Sequence, residues 1–424
     1  MARSKRWFKL DNAGKLYPAV STSRWSSIFR VSAELFEEVD PARLQKAVDQ
    51  VLPRFPALKV RMRAGIFWYY LEEIDVPLVV RPDVGHPCMP FRYHQDNGHL
   101  LRVFYYRRRI SAEFFHALTD GTGGLTFMKT LTAEYLRLGG HKIACDNGAL
   151  DPSEAPDPQE TQDAFMHMPL PRVRVSRRES RAYHFPATAE FPHTLHIIAA
   201  SLSCSQLVPL AKALGVTVTE YLTSAMLYAA YQDQEKRCGR KRLPIRISVP
   251  VNMRAFYDTP TLRNFSSFIN PGIDPRLGDY TFEEIAQEVH AYMRYHLNPK
   301  LLCAAIATNV ADEKNLLIRL APLFLKNLVI GSVFRRVGDR LITSTLTNLG
   351  VTRMPTGAEG LVRRFEFQLG APSLPLCSCA SITNGDELRL IFSSNIRETT
   401  LPRETLRFLV ERGVEVTVES NMEG

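Results

Sequence analysis

The hydrophobic pattern changes period several times along the chain, and each change predicts an element. Residues 26–35, SSIFRVSAEL, alternate between apolar and polar and predict a strand. In DPARLQKAVDQVLPRFPAL, Leu44, Val48, Val51 and Leu52 recur at helical spacing; Asp40 is placed to cap and Pro41 opens the helix. Two β-rich stretches follow, Ile66 to Ile74 and Leu100 to Tyr106, and ISAEFFH predicts a strand that ends on His116. After Gly121 the period becomes 3.6. Leu125, Met128, Leu131, Tyr135 and Leu138 share one face, and Gly139-Gly140 stops the helix.

The pattern then lapses. From Cys145 to about Arg181 the composition changes: DNGALDPSEAPDPQETQD is acidic, proline-rich and poor in large apolar residues, the composition of an exposed connection, and the run from Arg172 to Arg181 is densely basic. Order resumes with a strand from His193 to Ser203 and a long helix beginning near Thr219, its candidate cap. A strand from Leu243 to Arg254 and a helix from Thr281 to Leu297 come next. Three strands are predicted at Arg340 to Gly350, Leu376 to Gly385 and Glu387 to Ile396, before a closing helix that turns Leu406 and Leu409 inward. Strands and helices mix in both halves. The reading is an α/β (α+β) fold of two lobes, residues 1–145 and 182–424, joined by a crossing at 146–181, with ligand bound between them.

Composition narrows the class. A chain of 424 residues, 45% hydrophobic and 23% charged, has room for two cores and little sign of large-scale disorder. The longest apolar segment, Leu316 to Phe334, is interrupted by Arg319, Pro322 and Lys326 and is no bilayer span. It predicts a core helix broken near Pro322, in preference to a helix lying on a membrane surface. The N-terminus is basic with no apolar stretch behind it, unlike a secretory signal. Together with seven scattered cysteines this predicts a reducing, cytoplasmic setting. Net charge of +9 suits several anionic partners, but no nucleic-acid-binding motif accompanies it, so nucleic acid is not expected.

The chemistry concentrates in ISAEFFHALTDGTGG. A strand hands His116 to an Asp-Gly turn, which Asp120 favours through local backbone bonds and Gly121 through its freedom of φ. An imidazole placed there serves as a general base near neutral pH or as a metal ligand. The nearby candidates His94, His99 and Asp120 lack zinc-site spacing, so no metal is expected.

HALTDG resembles the His-x-x-x-Asp-Gly motif of the CoA-dependent acyltransferase superfamily, which includes chloramphenicol acetyltransferase, alcohol acetyltransferases and condensation domains of peptide synthetases. LQKAVDQVLPRFPAL, GVTVTEYLTSAMLYAA, VPVNMRAFYDTPTLRNFSSFIN and STLTNLG resemble further family segments in the family order. There are two departures. Phe115 stands where condensation domains carry the first of two adjacent histidines, the second of which is the one assigned as base, and this favours the stand-alone alcohol acetyltransferases. Asn348-Leu349-Gly350 replaces the Asp-Phe-Gly-Trp-Gly box of the plant branch.

The resemblance implies two chloramphenicol-acetyltransferase-like lobes, each a mixed sheet with flanking helices, and a substrate channel between them. It implies His116 as the base that moves an acyl group from acyl-CoA, a cosubstrate and not a resident cofactor, to an alcohol or amine. Asp120 is implied to pair with Arg254 and hold the loop, and Gly121 to admit substrate. Asn348 either orients substrate in the channel or ends a strand beside Gly350. A carrier-protein thioester is the alternative donor, giving an amide or ester.

Overall fold

The computed structural model describes residues 5–21, 27–92, 94–171, 173, 179–238, 242–314, 319–374 and 376–422. Most of the basic run from Arg172 to Arg181 and residues 316–318 of the apolar segment lie outside them.

Two mixed sheets dominate. The first runs in the order Val362–Leu369, Ile28–Leu35, Arg109–Phe115, Leu101–Tyr106 and Arg81–Pro82. Its central pair places Ile28 opposite Phe115 and Phe29 opposite Phe114. The strand Arg109–Phe115 is buried almost throughout. One face, Ile110, Ala112 and Phe114, packs into the lobe's apolar core. The other presents Ser111 and Glu113, and buried Glu113 accepts from Arg30, Arg102 and the Cys88 amide. Behind the sheet lie the helices Pro41–Val51, capped by Asp40, and Gly121–Leu138.

The second sheet runs Ser266–Ile269, Ile245–Asn252, Ser344–Thr352, Cys377–Asn384, Glu387–Ser394, His196–Ser203 and Val416–Ser420. Ser344–Thr352 is parallel to both neighbours and the remaining pairs in this order are antiparallel. Its core is completed by the helices Val218–Cys238, Phe282–His296 and Thr400–Glu411. A three-stranded sheet, Trp7–Lys9, Tyr69–Glu73 and Val60–Ala64, flanks the first lobe.

Three features differ from the sequence reading. The long helix of the second half is capped by Thr217, not Thr219: Thr217 and Glu220 exchange side-chain and backbone bonds in a capping box. Val362–Leu369, which the sequence reading did not single out, carries second-half chain back to the edge of the first sheet, where Phe367 pairs with Val31. The apolar segment is no core helix. Pro322 does mark the break, but the helix that follows, Leu323–Val337, leaves Phe324, Leu328 and Val329 exposed.

Candidate active site

His116 leaves the end of its strand tied to the neighbouring strand, its amide donating to the Ser27 carbonyl at 2.8 Å. Asp120 then caps the helix Gly121–Leu138 through the Gly123 amide. Its other oxygen accepts from Arg254 at 2.8 Å and from the Phe265 amide at 2.9 Å. Arg254 in turn donates to the carbonyls of Thr261 and Arg263. One carboxylate thus joins the histidine loop of the first lobe to the loop 261–265 of the second, and the pair is nearly dry.

That second loop carries Asn264, which faces the imidazole. Asn264 Nδ2 donates to the His116 carbonyl at 2.9 Å and to Asp11 at 3.2 Å, so Asn264 Oδ1 must accept the remaining bond, from His116 Nδ1 at 3.0 Å. The amide orientation therefore fixes the tautomer. Nδ1 carries the proton and Nε2 keeps its lone pair. Asp11, fully buried, is anchored by the Gly14 amide and by Arg263.

Tyr17 stacks on the ring at 4.4 Å between centroids, and Phe29 meets it edge-on at 5.1 Å. Burial holds the imidazole below the ordinary histidine range; its own carbonyl, Asp120, Asn264 and Asp11 pull the other way. Burial likewise pushes the Tyr17 hydroxyl upward, so Tyr17 stays neutral.

His116 opens on a cavity of about 170 Å³ between the sheets. Phe29, Leu369 and Tyr17 line it from the first lobe's side, and Ser344, Thr345 and Ser378 from the second sheet. A larger cleft of about 770 Å³ does not reach His116; it is walled by ion pairs such as Arg30–Asp83 and Arg389–Glu419.

Gly121 is needed for close packing. A Cβ there would stand 2.8 Å from Leu349 Cδ2 and 3.1 Å from Phe367 Cζ. Asn348 does not end its strand, which continues to Thr352. It shapes a bulge instead, accepting from the Gly350 amide and donating to Thr219, while Gly350 takes φ of 75°. That strand's contribution to the His116 cavity is Ser344 and Thr345, not Asn348 or Gly350. Sequence reading missed Asn264, Asp11 and Tyr17. Asn264 lies inside a segment already singled out, but nothing there separates it from Asn252 or Asn270. Among the described residues no three His, Cys, Asp or Glu side chains converge as a metal site would require.

The two mixed sheets with their flanking helices match solved structures with the fold of CoA-dependent acyltransferases and condensation domains over almost the entire chain, and the chain has that fold. Fusarium sporotrichioides TRI101, solved with coenzyme A and T-2, superposes with a TM-score of 0.64 at 13% identity, covering 97% of this chain and 99% of that one. Polyketide synthase associated protein 5 from Mycobacterium tuberculosis gives 0.61 at 16%, covering 95% and 96%. The starter condensation domain of rhizomide synthetase RzmA, solved as a double mutant in complex with C8-CoA and Leu-SNAC, gives 0.58 at 13%, covering 96% and 93%. No family profile matches the sequence, and no curated protein does.

Proposed function

We propose that the protein is an acyltransferase that moves an acyl group from a CoA thioester to an alcohol, with His116 as general base. The observation that carries this reading is the hydrogen-bond pattern at a histidine that lines the cavity: Asn264 Oδ1 accepts from Nδ1, which leaves Nε2 as the ring's acceptor. In the reaction His116 Nε2 takes the hydroxyl proton as the acceptor oxygen bonds to the thioester carbonyl carbon. The tetrahedral oxyanion collapses, the carbon–sulfur bond breaks, and the imidazolium returns the proton to the departing thiolate. Both reactants are held together and no acyl-enzyme forms; proximity supplies much of the rate. Asp120 and Arg254 support the base by joining the two loops that hold it, and do not touch the reacting atoms.

The likeness to TRI101 solved with coenzyme A, and to a condensation domain solved with C8-CoA, supports a CoA thioester as donor. The same likeness to condensation domains supports a carrier-protein thioester as the second reading. Thiol release from acetyl-CoA and longer acyl-CoAs, over a panel of alcohols and amines, separates them. Thiol release with ester product supports the first. Turnover only with a thioester on a phosphopantetheinyl carrier protein moves the assignment to the second.

A further inference from the structure

Two side-chain hydroxyls in the cavity beside His116 are left without a bond. The strands Ser344–Thr352 and Cys377–Asn384 are parallel neighbours, and their register sets Thr345 beside Ser378. Alternation along each strand fixes which way both side chains point. Leu346, Cys377 and Cys379 pack into the core of the second lobe, so Thr345 and Ser378 face the first. Ala380, on the same face as Ser378, belongs to the first lobe's core. Both residues line the cavity that holds His116, and Ser378 is 9% exposed. Among the described residues neither hydroxyl makes a hydrogen bond. Other hydroxyls in like positions are satisfied. Ser32 and Ser111, a cross-strand pair in the first sheet, bond each other at 2.9 Å, and Ser344 donates to the Cys377 carbonyl at 2.6 Å. A buried polar group without a protein partner is unfavourable, so on the wall of a site it points to what the site binds.

Charge and size define the occupant. Among the described residues no Lys, Arg, Asp or Glu lines this cavity; its apolar wall includes Ile28, Phe29, Ile342, Leu369 and Leu376. A carboxylate or ammonium set there would lie without a counter-charge, a penalty that a neutral hydroxyl or carbonyl avoids. The cavity, about 170 Å³, is close in size to the cavity of about 150 Å³ that accepts benzene. A molecule filling it has on the order of six to eight non-hydrogen atoms. The pantetheine arm of CoA is too long for that space. A simple acyl chain fits but carries no hydrogen-bonding atom beyond the carbonyl that reacts. The two hydroxyls are left to the acceptor.

We propose that Thr345 and Ser378 select the acceptor, a small neutral alcohol that carries a second hydroxyl or carbonyl oxygen. The two side chains bond that second oxygen while the hydroxyl that reacts meets His116. This names the substrate class of the acyl-transfer reading and rests on it. Thr345 and Ser378 are specificity residues and take no proton in the reaction. An acceptor with a single oxygen leaves both hydroxyls unpartnered, and one with a carboxylate brings an unpaired charge into the cavity; the site disfavours each.

The test compares thiol release from acetyl-CoA with butan-1-ol, butane-1,3-diol, butane-1,4-diol, glycerol and 4-hydroxybutyrate. In the wild type the best diol or glycerol should exceed butan-1-ol in kcat/KM by about tenfold, and 4-hydroxybutyrate should fall below butan-1-ol. Thr345→Val with Ser378→Ala removes both oxygens and nearly keeps the shape of the wall. It should lower kcat/KM for the favoured polyol about tenfold, leaving butan-1-ol and the KM for acetyl-CoA within about threefold of wild type. Thermal unfolding checks that the double variant folds, and Ser378→Ala alone carries the comparison if it does not. Equal use of butan-1-ol and every polyol by the wild type, ready use of 4-hydroxybutyrate, or a preference that survives the substitutions overturns the assignment. So does a variant altered only in its KM for acetyl-CoA, which would give the hydroxyls to the donor. Wild type that releases no thiol with any acceptor removes the acyl-CoA reading, and ligand-observed NMR with the same alcohols then decides the site separately. Polyol binding that the substitutions abolish retains it; binding that is absent, or equal in both proteins, overturns it.

Discussion

His116 and Asn264 are 148 positions apart in the chain and 3.0 Å apart across the site. The imidazole can act as base only while Nε2 is unprotonated, and two features keep it so: the Asn264 bond selects the tautomer and burial disfavours the cation. The sign of the pH dependence follows. As pH falls through the depressed pKa the ring takes a proton at Nε2 and the base is lost. The acid limb of kcat/KM should therefore lie below the ordinary histidine value of about 6.5. Asn264 favours the protonated ring, so Asn264→Ala should move that limb further toward acid. It should also lower kcat about a hundredfold with KM little changed, since a ring free to turn loses the aligned geometry. A purely structural role for Asn264 would leave the limb in place. Of these residues only the histidine was legible in the sequence, because a motif marks it. Its partner is set by tertiary contact and has no spacing to recognise.

At the scale of elements, the turn after the histidine strand shows why the aspartate sits where it does. Asp120 serves three donors at once, from the helix it caps, from Arg254 and from Phe265. Removing it leaves the largely buried Arg254 guanidinium without its counter-charge, so Asp120→Ala should cost about 3–5 kcal/mol in urea unfolding. Removing Arg254 as well should cost less than the sum of the two single changes, because the pair is coupled. Gly121→Ala should cost about 1–3 kcal/mol in the same measurement, since the added methyl meets Leu349 and Phe367. Strand and helix positions were mostly legible here. Period and caps placed Arg109–Phe115, Gly121–Leu138 and Phe282–His296 close to their observed bounds, and Thr281 caps the last with Glu284 as its partner. The exposed face of Leu323–Val337 was not legible, because periodicity finds an apolar stripe and does not say which way it faces. Lys326, taken as an interruption, turns inward and donates to the Phe67 and Arg319 carbonyls.

Over the whole molecule, the lobes are less separate than the chain order suggests. Val362–Leu369 completes the first sheet from the far end of the sequence, and Asp120 with Arg254 ties the lobes beside His116. A fragment of residues 1–181 lacks that strand and leaves Ile28–Leu35 as an open edge. Circular dichroism should find the fragment unfolded or aggregated alone and folded when co-expressed with the remainder. The long-range return left no mark in local pattern, whereas the two-lobe α/β class did, since mixed strands and helices recur in both halves. The account turns on His116 as the base at the junction of these lobes. Its most direct test is thiol release from an acyl-CoA with an accepted alcohol, wild type against a folded His116→Ala. The account predicts a fall of about 10²–10⁴-fold in the variant; turnover at the wild-type rate would contradict it.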